Sequence, residues 1–213
     1  MLRWALLAAV PLVVVAAVSL AFVLSSGSQP SAASMAVPVS STAAGTWPAH
    51  SLRAPSFTLR GEDGRPLSLV SFRGRPVLVT FIDPLCRDFC PVEAQRLSDA
   101  VRAEPPSRRP AIVAVSVNTA GNRPATLALD RRKWNVPPQW HWAIGEPAAL
   151  ARVWHQFHVQ VIVTKKKIAG VRVQQVAHTE AAYLIDPQGY QRALFLWPYS
   201  SSAVTRELAS SAS

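Results

Sequence analysis

The chain has 213 residues, a formal charge of +10 and two cysteines. One domain of this size buries a full hydrophobic core without disulfide staples, so the cysteine pair is a candidate site rather than a small-protein scaffold. Nearly all of the positive excess lies from Arg53 onward; it favours acidic partner surfaces or anionic lipid, and nucleic acid is set aside because the N-terminus directs the domain away from it.

Trp4 to Leu24 run without a charged side chain. As a helix they span about 31 Å, close to the hydrocarbon thickness of a bilayer, and Pro11 is tolerated in such a helix. Arg3 precedes the run and no basic residue follows until Arg53. The positive-inside rule then leaves the N-terminus in the cytoplasm and the rest outside. Residues 1–24 read as a single-pass membrane anchor, with a cleaved secretory signal as the competing reading; both put the domain on the oxidising, extracytoplasmic side. Residues 25–52, rich in Ser, Ala and Pro and free of charge, read as a linker with a reach of about 30 Å. Residues 53–213 form the domain.

In the domain, residues 55–60 (PSFTLR) alternate as a strand, and Glu62 to Arg65 turn the chain into a returning strand at Pro66 to Val70. PVLVTFI is a β-branched run suited to a strand buried on both faces. It leads into Asp83-Pro84-Leu85-Cys86-Arg87-Asp88-Phe89-Cys90-Pro91, with a helix expected from Pro91 to about Ala103. A buried strand at 111–117, a helix at 124–134, a short strand at 140–144 and a helix at 147–157 follow, then an extended run at 159–163. Strands at 171–177 and 181–185 flank His178. Asp186-Pro187-Gln188-Gly189 turns into a last strand at 191–197, and 201–211 read as a helix. Strands alternating with helices predict an α/β fold, a sheet with helices on both faces.

The two cysteines stand where a central strand ends and a helix begins, the edge at which open α/β sheets bind ligands. With Pro91 first in the helix, Cys90 is expected as the N-cap, its thiol pKa lowered by unpaired N–H groups and the helix dipole. Glu93 is expected to reach back to the cap, and Arg87 to add positive charge. The C-x-x-x-C loop is one residue longer than that of dithiol oxidoreductases and can aim two sulfurs at one ion. Two thiolates suit Cu(I); an added imidazole also suits Cu(II), and zinc accepts the same set with water. A structural disulfide is the plain alternative.

PSFTLRGEDGRPLSLVSFRGRPVLVTF, then CRDFCP, then HTEAAYLIDPQG resemble, in order, the Sco (SenC-type) family of copper-binding proteins. The resemblance covers most of residues 53–210. It implies a thioredoxin-like fold, a membrane anchor, copper held by Cys86, Cys90 and His178, and a part in maturing the dinuclear copper centre of cytochrome c oxidase. The chain departs from the family pattern at Ala177, where an acidic residue is frequent, and at Asn118-Thr119, where Asp-Pro is frequent. A membrane-tethered copper metallochaperone is the first functional reading. The alternative is an extracytoplasmic thiol–disulfide oxidoreductase using Cys86 and Cys90 as a redox-active dithiol; a peroxidase is disfavoured, because Thr80 stands too far before Cys86. Of the other polar residues, His155 and His158 read as exposed or capping, His141 as packed near the core, Asp83 and Asp88 as solvated loop carboxylates, and Lys165-Lys166-Lys167 as a solvated loop tip.

Overall fold

The computed structural model of the chain describes residues 38–211. Trp4–Leu24, read as the anchor, lies outside them, and among the described residues no helix is long and apolar enough to cross a membrane. The described part holds ten strands: β1 (Gly45–Thr46), β2 (Thr58–Gly61), β3 (Pro66–Ser68), β4 (Val77–Ile82), β5 (Ala111–Ser116), β6 (Trp140–Ile144), β7 (Val161–Ile168), β8 (Val171–His178), β9 (Ala181–Ile185) and β10 (Gln191–Leu196). Four α-helices join them: α1 (Phe89–Ala103), α2 (Pro124–Lys133), α3 (Pro147–Gln156) and α4 (Ser201–Ser210).

Eight strands make one mixed sheet in the order β1-β10-β9-β4-β5-β6-β2-β3, and β7 pairs with β8 in a separate ribbon. Every residue of β4, β5 and β9 is buried, as expected of central strands covered on both faces. Alternate side chains supply two cores. Leu78 and Ile82 of β4 pack with Leu97 and Val101 of α1, Leu127 of α2 and Val204 and Leu208 of α4. Val79 and Phe81 face the other way, onto Leu150 and Val153 of α3 and Phe157. Prolines begin α2 and α3, where their missing N–H leaves no bond unmade. The Ser200 hydroxyl caps α4 by accepting from Ala203 N at 3.1 Å.

Strand direction decides which loops share an edge. β5 runs parallel to β4 in the register Val77↔Ala111 to Ile82↔Ser116. The loops after both strands, one carrying the cysteines and the other Asn118, therefore leave the sheet together. β9 is antiparallel to β4, with Thr80 opposite Ala182, so its start, just after His178, reaches the same edge. β10 is antiparallel to β9, with Leu196 opposite Ala181, and delivers Trp197 there as well.

Two expectations are corrected. The linker reading extends too far, because the chain joins the fold from about Pro38. Ser40 N donates to Pro198 O (2.8 Å), Trp47 N donates to Arg192 O (3.0 Å), and β1 pairs with β10. Edge pairing uses backbone groups, so a segment without an apolar pattern can still be held. The second concerns Lys165–Lys167, which lie within β7 rather than at a loop tip, their partners being Gln174, Val173 and Arg172 of β8. The turn itself falls at Ala169 and Gly170, both at positive φ. The ribbon lies outside the main sheet, which explains why its strands lack the apolar runs of β4 and β5.

Candidate metal and thiol site

The helix that carries Cys90 begins at Phe89, not Pro91. Pro91 is third in the helix, a position whose N–H has no intrahelical acceptor. This shift exchanges the roles expected for the two sulfurs. Cys90 lies inside the first turn and is 1 % exposed. Cys86 is half-buried in front of the helix, and its sulfur accepts the Cys90 amide at 3.4 Å.

The Cys86 thiol pKa is lowered to about 5, first by its hydrogen bond with the Cys90 thiol and then by the N–H groups of Cys90, Asp88 and Phe89. The proton stays on Cys90, whose pKa is pushed up by the same shared bond and by burial. The low-pKa thiol is therefore Cys86, and both cysteines are free. This is anion binding at a helix N-terminus with a thiolate as the anion. Arg87 contributes less positive charge than expected. It bonds the carbonyls of Pro84 and Cys86 at 3.0 and 2.8 Å and stands 3.3 Å from the buried Asp130 carboxylate.

His178 is the last residue of β8. Its Nδ1 is 3.1 Å from the Thr179 carbonyl oxygen. A carbonyl only accepts, so Nδ1 carries the hydrogen and Nε2 keeps its lone pair. Burial holds the imidazole pKa below its ordinary value, against opposing effects of the Thr179 carbonyl, Asp83 and Cys86. His178 is therefore neutral at pH 7 and lies within the field of Cys86. It does not close a three-ligand set with the sulfurs: among the described residues, no three Cys, His, Asp or Glu side chains converge at metal-binding distance. The structure thus brings the sulfurs together and sets His178 on the same edge, short of contact. Asp83, Cys86, Asn118, Gln174 and Val176 line the cleft between the thiol loop and β8.

Several residues have roles that their sequence positions did not announce. Glu93 caps nothing. It is fifth in α1 and faces inward, where Oε1 accepts from Thr80 Oγ1 (2.7 Å) and Tyr199 Oη (2.9 Å). Burial pushes its carboxyl up to about 8. A glutamate beneath a dithiol gives no sequence signal, since its spacing from Pro91 also suits a cap. Asp83 is buried rather than solvated, and it accepts from Leu85 N at 2.7 Å. Phe89 is exposed and lies edge-on to Trp197 at 6.4 Å. His155 and His158 are exposed, as expected, and His141 packs against Phe72 at 5.2 Å.

The sequence profile of the SCO1/SenC family matches residues 48–213. No curated protein matches the chain. Among solved structures, the fold is similar to copper-bound ScoI of Bradyrhizobium japonicum, with TM-score 0.64 and 22 % identity over 75 % of this chain and 99 % of that one. It is also similar to apo Sco1 of Thermus thermophilus, with TM-score 0.62 and 23 % identity over 74 % and 91 % of the two chains. BsSco, in which a disulfide switch was identified and which is a member of the Sco family of cytochrome c oxidase assembly proteins, gives TM-score 0.58 and 21 % identity over 76 % and 94 %. Identities this low speak for the fold alone. That fold is thioredoxin-like.

Two outcomes follow from the titrating groups. Iodoacetamide should label Cys86 at a plateau rate from pH 7 down to about pH 6, and the rate should halve near pH 5. Cys90 should stay unlabelled in the native chain. A labelling midpoint near pH 9 would show that Cys86 is an ordinary thiol. For Glu93 the folded state keeps a proton that the unfolded state loses above about pH 4.5. Its contribution to stability is complete below that pH and is lost as pH rises through about 8. Relative to Glu93→Gln, the wild type should lose urea resistance between pH 5 and pH 8; a constant difference would remove the titration from Glu93.

Proposed function

The chain belongs to the SCO1/SenC family, and we propose that it is a membrane-tethered copper metallochaperone. In this reading Cys86, Cys90 and the Nε2 of His178 hold copper, and the client is the dinuclear copper centre of cytochrome c oxidase. The observation that carries it is the paired cysteines at the start of α1, Cys86 half-buried on the cleft with its sulfur accepting the Cys90 amide at 3.4 Å, and Cys90 buried behind it. Copper is the cargo. Cys86 offers a thiolate to an incoming Cu(I) without first losing a proton, whereas Cys90 must release its own when it joins. His178 is already neutral and its ring is oriented by Thr179. In this reading it is the third ligand, and an imidazole beside two thiolates lets one site accept both Cu(I) and Cu(II). Several relatives have been solved with copper bound, which supports the choice of metal.

Trp4–Leu24 would hold the domain at the extracytoplasmic face of the cell membrane, with the N-terminus in the cytoplasm. Residues 25–37 would then separate that span from the first described residue. The exposed Leu85, Phe89 and Val92, clustered along the thiol loop and the start of α1, give a client an apolar surface beside Cys86.

A second reading, an extracytoplasmic thiol–disulfide oxidoreductase, is favoured by the same asymmetry. An accessible low-pKa thiolate attacks a client disulfide, and the buried Cys90 then resolves the mixed disulfide.

The full-length chain in detergent should bind about one copper and release about one proton per Cu(I) at pH 7, because only Cys90 still carries one. His178→Ala should change the Cu(II) spectrum while leaving Cu(I) bound by the dithiol. An unaltered spectrum would remove His178 from the site. Reduction of a client disulfide by the metal-free chain, lost in Cys86→Ser and kept in His178→Ala, would favour the second reading. For the tether, the chain should remain in membranes after a carbonate wash; release into the soluble fraction would overturn it.

A further inference from the structure

Asn118 stands two residues past the end of β5, almost fully buried at 5 % exposure. Its side chain joins two segments far apart in the chain. Nδ2 donates to Asp83 Oδ2 at 3.2 Å, and Oδ1 accepts from Gln174 Nε2 at 3.3 Å. Oδ1 also accepts the amide of Ala120 at 3.2 Å. A backbone N–H can only donate, so the amide cannot be turned round, and its NH2 must face Asp83. Asp83 in turn accepts from Leu85 N through its other carboxylate oxygen and from Cys86 N through its carbonyl.

The Asn118 loop is pressed against the thiol loop. A Cβ on Gly121 would lie 2.7 Å from Pro84 Cβ and 3.1 Å from Leu85 Cγ, a clash that only glycine avoids. On the other side, Gln174 lies on β8, four residues before His178 and on the same face of the strand. β7 and β8 have no partner in the main sheet, so this bond is a specific polar contact from the ribbon to the thiol side of the cleft.

We propose that Asn118 is a positioning residue that ties the strand carrying His178 to the loop carrying Cys86. An ionised aspartate in its place would have no donor for Asp83 and would set two carboxylates face to face. An asparagine donates to one segment and accepts from the other at once. The tie fixes the strand that ends at His178 against the loop that carries Cys86. The tie itself stands on the hydrogen bonds above; only its effect on His178 rests on the copper reading.

Amide hydrogen exchange over residues 174–178 tests it in the metal-free, full-length chain in detergent. Gln174→Ala, an exposed position, should raise the exchange rate about fivefold, the equivalent of one neutral hydrogen bond. Asn118→Asp should do at least as much. The double variant D83N/N118D exchanges donor and acceptor and should return exchange to the wild-type rate. Near-ultraviolet circular dichroism serves as the folding control. With Cu(II) added, the imidazole nitrogen hyperfine coupling should weaken in Gln174→Ala and in Asn118→Asp and stay at the wild-type value in the double variant. Unchanged exchange in Gln174→Ala, or no rescue in a folded double variant, overturns the tie. Faster exchange with the wild-type hyperfine coupling intact overturns the positioning role. Faster exchange in a protein whose wild type shows no nitrogen coupling supports the tie and overturns instead the assignment of His178 to copper.

Discussion

The parallel pairing of β4 with β5 is the constraint on which the site depends. Parallel strands send their following loops off the same edge of the sheet, and here those loops carry Cys86 and Asn118. Because β9 lies antiparallel on the other side of β4, the segment that precedes it, with His178 at its head, comes to that edge too. Burial on both faces fixes the register: a slip of one residue would send every apolar side chain of β4 to the wrong core. The site inherits its geometry from two hydrophobic cores, one of which includes Cys90 and has Cys86 packed against it.

On that scaffold the sulfurs divide their roles through the start of α1. The backbone N–H groups of the first turn have no helical acceptors, and Cys86 Sγ lies in front of them. Cys90, inside the turn and out of solvent, keeps its own proton where the Cys86 thiol loses its own. One helix start thus creates an accessible nucleophile or ligand and a concealed partner. Both metal binding and thiol exchange begin from that arrangement, and this common origin is why the two functional readings share their first step.

Polar contacts at the same edge are carried by residues buried beneath or beside the sulfurs. Glu93, bound to the hydroxyls of Thr80 and Tyr199, links α1 to β4 and to the chain just before α4. Asn118 links the thiol loop to the detached β7–β8 ribbon. These links cross between elements that the hydrophobic cores already place close together, and they add direction, which apolar contact does not supply.

The amino-acid sequence by itself determined the α/β order, nearly every strand and helix, and the placing of a cysteine pair between a buried strand and a helix. It could do so because apolar periodicity, prolines at helix starts and the Asp-Pro-Gln-Gly turn are local signals. Only the tertiary structure decided which sulfur is ionised. That depends on whether the helix begins at Phe89 or Pro91, and Pro91 is compatible with either. Tertiary structure also turned Glu93 from a cap into a buried acid and Asp83 from a solvated carboxylate into a buried acceptor. It drew residues 38–52 into the fold by edge pairing, which leaves no mark in side-chain pattern. His178 lies 88 residues beyond Cys90, and the sequence brought it to the sulfurs by family resemblance alone. Strand direction brings it to their edge, and the ribbon that carries it stops short of closing the set.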